Sequence, residues 1–442
     1  MALRQLIPPA ILFITLLAQA LVPHLRLLIV MTGAAACCLA TSVTGVATTE
    51  ALLADVPWGV LIILVGLGLL AELLAAGRLF GPLAVRAAVA SGGRPQRLRL
   101  AFAAGMFVVS GLVNNITALV LVLPVLLVLL RTGDARPRTV HWTIGTLLVA
   151  CNLGGAATPI GDFPAILLLS RGSMRFTDYL LRALPATVVA LALLLGCVGL
   201  LVRPERGVDD DPLARRLSLA VTTALHRRVR PAPGPVLPSV LGLGAMLLAW
   251  TFLPERLHVG PALVCWLGVC VVLLVRGRQG ERLARTRVDV EAVLFLLGLF
   301  VMVAAVRRAG VFEALGDWIL GLPLPPRGRM VVFLALAGVL TGLFSAGPGM
   351  AALLNVGEAL TRELPGPSVY VGLALSVCAG SSLFLTAATS GPLAQALVER
   401  ADLRDADGRP VHFGFLQFLP VGLLSFALIE GVAIAYGLLT TR

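Results

Sequence analysis

Long apolar runs alternate with short segments rich in Arg, Gly and Pro along the 442-residue chain. A helix needs about 20 apolar residues to cross a bilayer. Runs of that kind occupy residues 6–22, 25–44, 57–76, 179–202, 236–253, 259–276, 290–306 and 414–437. Four further apolar stretches are interrupted. Residues 98–130 break at Ser110-Gly111 and Asn114-Asn115, and residues 140–170 break at Asn152-Leu153-Gly154-Gly155 and at Thr158-Pro159-Ile160-Gly161-Asp162. Residues 330–358 break at Ser345-Ala346-Gly347-Pro348-Gly349, and residues 368–398 around Ala379-Gly380-Ser381-Ser382 and Thr389-Ser390-Gly391-Pro392. Such residues at mid-span unwind a helix and free backbone groups, which membranes tolerate only where they line a cavity or pack inside protein. The pattern predicts an all-α polytopic membrane protein.

The interrupted segments come in matched pairs. Shifted by 231, Ser110-Gly111-Leu112 falls on Thr341-Gly342-Leu343 and Val125 on Val356. Shifted by 227, Gly145 and Cys151 fall on Gly372 and Cys378, and one added residue places Pro164 on Pro392. The preceding spans correspond too, Leu64-Val65-Gly66-Leu67 beside Leu296-Leu297-Gly298-Leu299. Several matches in one order predict an internal duplication of roughly 200 residues, and paired interrupted segments point to a transporter binding site. The division is a first repeat over 1–202, a cytoplasmic linker over 203–235 and a second repeat over 236–442.

Charge sets the orientation. The chain contains no Lys, and its 35 basic residues are all Arg. With 77–99, 131–139, 203–235, 276–289, 399–412 and the turn at 23–26 on the cytoplasmic side, 24 of the 35 lie inside, as the positive-inside rule requires. The span at 57–76 then runs inward and its counterpart at 290–306 outward, so the repeats are antiparallel. Arg171, Arg175 and Arg182 fall outside as exceptions.

Composition agrees. Apolar residues make up 58% and charged residues 13%, about half the charge of a soluble domain, and the mean hydropathy is +0.96. The net charge of +12 sits between apolar runs, so it marks orientation and not nucleic-acid binding. The linker, with Asp209-Asp210-Asp211 and His226-Arg227-Arg228, reads as a solvated connector drawn to anionic lipid. Without Lys there is no phosphate-binding loop for ATP. The seven Cys show no paired spacing, so neither disulfides nor a zinc site is expected. The first apolar run lacks a small-residue cleavage pattern and reads as a span.

Where half-helices meet, N-terminal N–H groups favour anions and unwound carbonyls favour Na⁺. Asn114, Asn115, Thr117 and Asn152 offer neutral oxygens suited to a hard cation, with Gly154 and Thr158 beside them. Na⁺ is expected at Asn114, Asn115 and Asn152. In the second half, Ser345, Gly347, Ser381, Ser382, Thr386, Thr389 and Ser390 occupy the corresponding breaks. Helix–helix hydrogen bonding is the plain alternative for each hydroxyl. Asp162 is the acid in the interior of the four broken segments. An intramembrane carboxylate points to function, and capping the next half-helix is compatible with that. Glu72 lies near a cytoplasmic span end and Glu430 deeper, at a candidate domain contact.

The run Ser110-Gly111-Leu112-Val113-Asn114-Asn115-Ile116-Thr117-Ala118, followed by Asn152 to Pro164, resembles the ion transporter superfamily. The nearest look is to the branch with arsenite permeases, citrate carriers and D-type sodium–proton antiporters; sodium–dicarboxylate symporters are more distant. The resemblance implies re-entrant hairpins, unwound helix centres forming substrate and cation sites, and a scaffold plus an elevator-like transport domain in a homodimer. Two positions depart from it: Asn114 stands where relatives carry Asp, and the second tip, Ser345 to Gly349, carries no Asn.

The resulting expectation is a secondary active transporter of the bacterial inner membrane, driven by Na⁺ or H⁺ without another cofactor, moving a small inorganic or organic anion. A sodium–proton antiporter without a separate solute is the alternative. A channel is a rival, and so, remotely, is an intramembrane aspartyl protease. That protease would need a second catalytic Asp on a neighbouring span, and Asp178 lies at the membrane edge.

Overall fold

The computed structural model describes residues 3–22, 25–77, 86, 89–92, 95–132, 137–202, 220, 233–253, 259–344, 346–387, 390–405 and 408–441. Most of the linker, with its Asp and Arg clusters, lies outside the described residues, as do Ser345 and Thr389. Among the described residues there are helices and one isolated bridge, Arg404 to Pro410, but no strand.

The first half contains α1 (Leu3–Leu21), α2 (Arg26–Thr44), α3 (Thr49–Ala54), α4 (Trp58–Ala76), α5 (Pro95–Leu112), α6 (Asn115–Thr132), α7 (Pro137–Ala157), α8 (Phe163–Ser170) and α9 (Phe176–Leu201). The second contains α10 (Pro233–Phe252), α11 (Pro261–Val275), α12 (Arg278–Thr286), α13 (Val290–Arg308), α14 (Val311–Leu320), α15 (Pro326–Phe344), α16 (Ala346–Leu360), α17 (Gly366–Ser381), α18 (Ser390–Arg400) and α19 (Phe415–Thr440).

Eight described helices are long and apolar enough to cross a membrane. Six coincide with the expected uninterrupted runs; the other two are α7 and α15, read from the sequence as broken. α7 passes through Asn152-Leu153-Gly154-Gly155 without unwinding and stops only at Ala157. α5 likewise runs through Ser110-Gly111, whereas α17 ends at Ser381 and α16 begins at Ala346, both within the expected breaks. A glycine in a buried helix keeps its backbone bonds. What it removes is bulk, and here it lets another helix come close. A methyl on Gly154 would be driven into the Phe107 carbonyl of α5, and one on Gly380 would lie 2.6 Å from Thr341 Cβ of α15.

Helix pairings found in one half recur in the other. α5 lies along α7 as α15 lies along α17, and α6 packs on α18 as α16 packs on α8. α2 packs against α13 in the other half, and α11 returns the contact on α4. Large apolar side chains such as Leu39 and Val43 on α2, or Trp266 and Leu274 on α11, are exposed, as hydrocarbon-facing positions can be.

Ion pairs between distant segments sit at or near the helix ends among the described residues. Arg26 pairs with Glu291 at 2.8 Å and Arg287 with Glu72 at 3.9 Å, both joining segments assigned above to the cytoplasm. Arg308 pairs with Asp55 at 2.7 Å, Arg329 with Glu363 at 2.5 Å and Arg171 with Glu358 at 3.6 Å, joining segments assigned to the opposite side. Arg171, an exception to the Arg count, thus has its charge answered, and it also donates to Asn355 at 3.0 Å. Ion pairs open to solvent add little to stability, so their value here lies in the geometry they mark.

Candidate functional site

The α5–α6 connection and the α7–α8 connection meet at one buried point. α5 ends at Leu112 and α6 starts at Asn115. Asn114 accepts from the Thr117 N–H at 2.9 Å, the bond of a helix N-cap. The next side chain turns inward: Asn115 is 4% exposed. Its Oδ1 meets the Ser110 hydroxyl, which also lies 2.7 Å from the Cys151 carbonyl of α7. The Cys151 thiol donates to the Asn115 carbonyl at 3.4 Å. A tip of two residues is therefore tied to the neighbouring helix through both side chain and backbone.

Asp162 comes to the same point from the other connection. Its backbone is extended, and its Oδ1 accepts from the Phe163 N–H at 2.8 Å, capping α8 as expected from its sequence position. The Asn115 side chain borders the same glycine as Asp162. Gly155 forms the floor under the pair; a Cβ there would lie 2.6 Å from Asn115 Oδ1 and 2.8 Å from Asp162 Cβ. Thr158 bridges the two connections by donating to the Gly111 carbonyl at 2.6 Å.

The second half reaches this centre from across the molecule. Asn152, 3% exposed, donates to Ser382 Oγ at 3.1 Å and lies 3.4 Å from the Ser381 carbonyl. Gly347, near the start of α16, faces the Phe163 ring. A narrow cavity lies between the halves, lined by Asp162, Tyr179, Cys378 and Ser381 among others.

Asn115, Asn152, Gly154, Asp162, Ser381 and Ser382 are thus gathered about one centre, with Thr158 and Gly347 at its edge. Asn114 is occupied in capping α6 through the Thr117 backbone N–H, a bond that leaves the Thr117 hydroxyl out. Ser390 is buried with a hydroxyl that has no partner, and Thr386 is exposed. Ser110 was absent from the expected site although it stands in the motif. Its position five residues before Asn115, across a two-residue tip, was the available signal. Tyr179, which donates to the Ala156 carbonyl at 2.8 Å, carries no such signal.

Comparison with known proteins places these features in a family. The Citrate transporter family matches residues 10–380 and again residues 245–439, and the chain belongs to it, within the ion transporter superfamily. Curated relatives include "Magnetosome protein MamN" of Paramagnetospirillum magneticum, 29% identical over 83% of this chain and 82% of that one. "Uncharacterized transporter Rv2685" of Mycobacterium tuberculosis is 28% identical over 81% of each. "Sodium/proton antiporter 1" of Arabidopsis thaliana is 24% identical over 62% of this chain and 46% of that one. The crystal structure of the Alcanivorax borkumensis YdaH transporter is similar over 88% of this chain and 86% of that one, at 17% identity and a TM-score of 0.47. The protein is a multi-pass integral membrane transporter of the bacterial inner membrane and not an enzyme.

Proposed function

We propose that the protein is a secondary active transporter that couples the movement of a small anion to Na⁺ or H⁺. The observation that carries this reading is the convergence of two helix interruptions from one half with Ser381 and Ser382 of the other, around Asp162. Two helix N-termini, those of α6 and α8, point at that centre, and with Asp162 protonated their remaining N–H groups favour an anion. The amide and hydroxyl oxygens of Asn115, Asn152 and Ser382 suit Na⁺, while Asp162 offers the one carboxylate able to exchange a proton there. The recurring pairings support two inverted repeats, each with a re-entrant hairpin and a broken helix. We extend the reading to an elevator motion of a transport domain in a homodimer.

The family's name makes citrate the first solute to try. Purified protein in liposomes is given imposed Na⁺ or H⁺ gradients with citrate, dicarboxylates and arsenite. Gradient-driven accumulation of one solute, with a saturable exchange flux, is expected. Uptake that never saturates would indicate a pore. The second reading, sodium–proton antiport without a solute, is favoured by the likeness to the Arabidopsis antiporter. In that case Na⁺ alone moves internal pH in empty vesicles.

A further inference from the structure

The second half holds its own buried carboxyl group, away from the cluster just described. Glu430, in the middle of α19, is 6% exposed. Oε1 accepts from the Ser376 hydroxyl of α17 at 3.0 Å. Oε2 is buried with no hydrogen-bond partner. It presses on α15 at Gly338, where an added Cβ would lie 2.5 Å from it. Thr341, one turn along the same helix, is also fully buried with a partnerless hydroxyl.

This is where the two halves differ. Thr341 is the counterpart of Ser110, whose hydroxyl is taken up by Asn115 and the Cys151 carbonyl. The counterpart of Asn115 is Ala346, so the second hairpin has no amide to occupy Thr341. The carboxyl of Glu430 reaches the same helix one turn away, at Gly338.

Among the described residues, no ionisable side chain faces Glu430 from the helices packed on α19, and Ser376 is its hydrogen-bond partner. The charged groups of α15, Arg327 and Arg329, sit in its first turn, as does Arg138 of α7; His141 lies one turn further in. Asp178 and Arg182 of α9 lie in its first two turns, and α17 has no charged residue. Cys378, two residues past Ser376, falls on the other side of α17 and lines the Asp162 cavity. Arg182 acts on Tyr436, nearly two turns further along α19. An ionised carboxylate here would keep a full charge in the membrane interior against one neutral donor, a state that buried charges avoid unless paired. A protonated carboxyl removes the charge and turns Oε2 into a donor.

We propose that Glu430 is a proton-binding site of the transporter, separate from the Asp162 cluster, which holds a proton while packed against Gly338 and releases it to water during the transport cycle. The bond that forms and breaks is Oε2–H, and the proton comes from and returns to water. The release step rests on the carrier reading above; the binding step does not.

Infrared difference spectra of the protein in lipid, without solute, test the binding step. A protonated-carboxyl C=O band should be present, diminish as the pH is raised, vanish in Glu430→Gln and persist in Asp162→Asn. Ser376→Ala keeps the carboxyl but removes its donor, so it should shift the band even if Gln at 430 does not fold. No such band, or one unchanged by both Glu430→Gln and Ser376→Ala, overturns the site. In proteoliposomes, Glu430→Gln should keep solute exchange and lose proton-driven accumulation. Wild-type accumulation in that variant overturns the release step. A wild-type protein that carries no solute removes the carrier reading and the release step together, and the band alone then decides the site.

Discussion

Adding one methyl group at Gly155 tests the geometry of the centre most directly. Its Cβ would lie 2.6 Å from Asn115 Oδ1 and 2.8 Å from Asp162 Cβ, both inside van der Waals contact. The Asn115 amide cannot simply swing aside, because it is buried and tied to Ser110. Overpacking of this kind costs about 1–3 kcal/mol, and the displaced groups are the ones assigned to the site. Two neighbours calibrate the result. Gly105 in α5 has nothing within 4 Å of an added Cβ, whereas Gly154 meets the Phe107 backbone, which has no side-chain freedom to yield. Gly105→Ala is expected to match wild type in thermal melting and in uptake. Gly155→Ala should fold with a lowered melting temperature and lose gradient-driven uptake, and Gly154→Ala should fail to give folded protein. Should Gly155→Ala transport like Gly105→Ala, Asn115 and Asp162 are not where the solute or its coupling ion binds.

Asp162→Asn retains an oxygen that can accept from the Phe163 N–H, so it should melt near wild type yet lose accumulation while keeping exchange; unaltered accumulation would reduce Asp162 to a helix cap. For topology, single-cysteine labels in 203–235 should react with an impermeant reagent only from the cytoplasm, and labels beside Arg327 only from outside. Both reacting from one face would end the antiparallel arrangement.

Membrane placement and six of the eight uninterrupted spans were legible because twenty-residue apolar runs have few other uses. The two connections of the first half were legible as well, because Asn114-Asn115 and Pro159 to Asp162 combine turn-forming and polar residues at mid-span. Gly154-Gly155 misled, whereas Gly380 did stand at a helix end. Glycine in sequence does not say whether it ends a helix or brings two together, and only the facing Phe107 and Gly338 backbones decide it. Asn152 was found as a polar residue in an apolar run, but its partner Ser382 is 230 residues away. Ser376 beneath Glu430 was invisible for a similar reason: a lone serine in a helix most often bonds its own preceding turn.

The exchange of helices between the halves bears on how the protein is made. α2 packs against α13 and α4 against α11, so the first nine helices leave the ribosome with two faces that only later helices cover. Until α17 arrives, the Asn152 amide also lacks Ser382, and an unmet buried polar group costs about 1–3 kcal/mol. Insertion of the first half is therefore completed by the second. A chain stopped after α9 presents a bare polar side chain and uncovered helix faces, the features by which membrane quality control would recognise it.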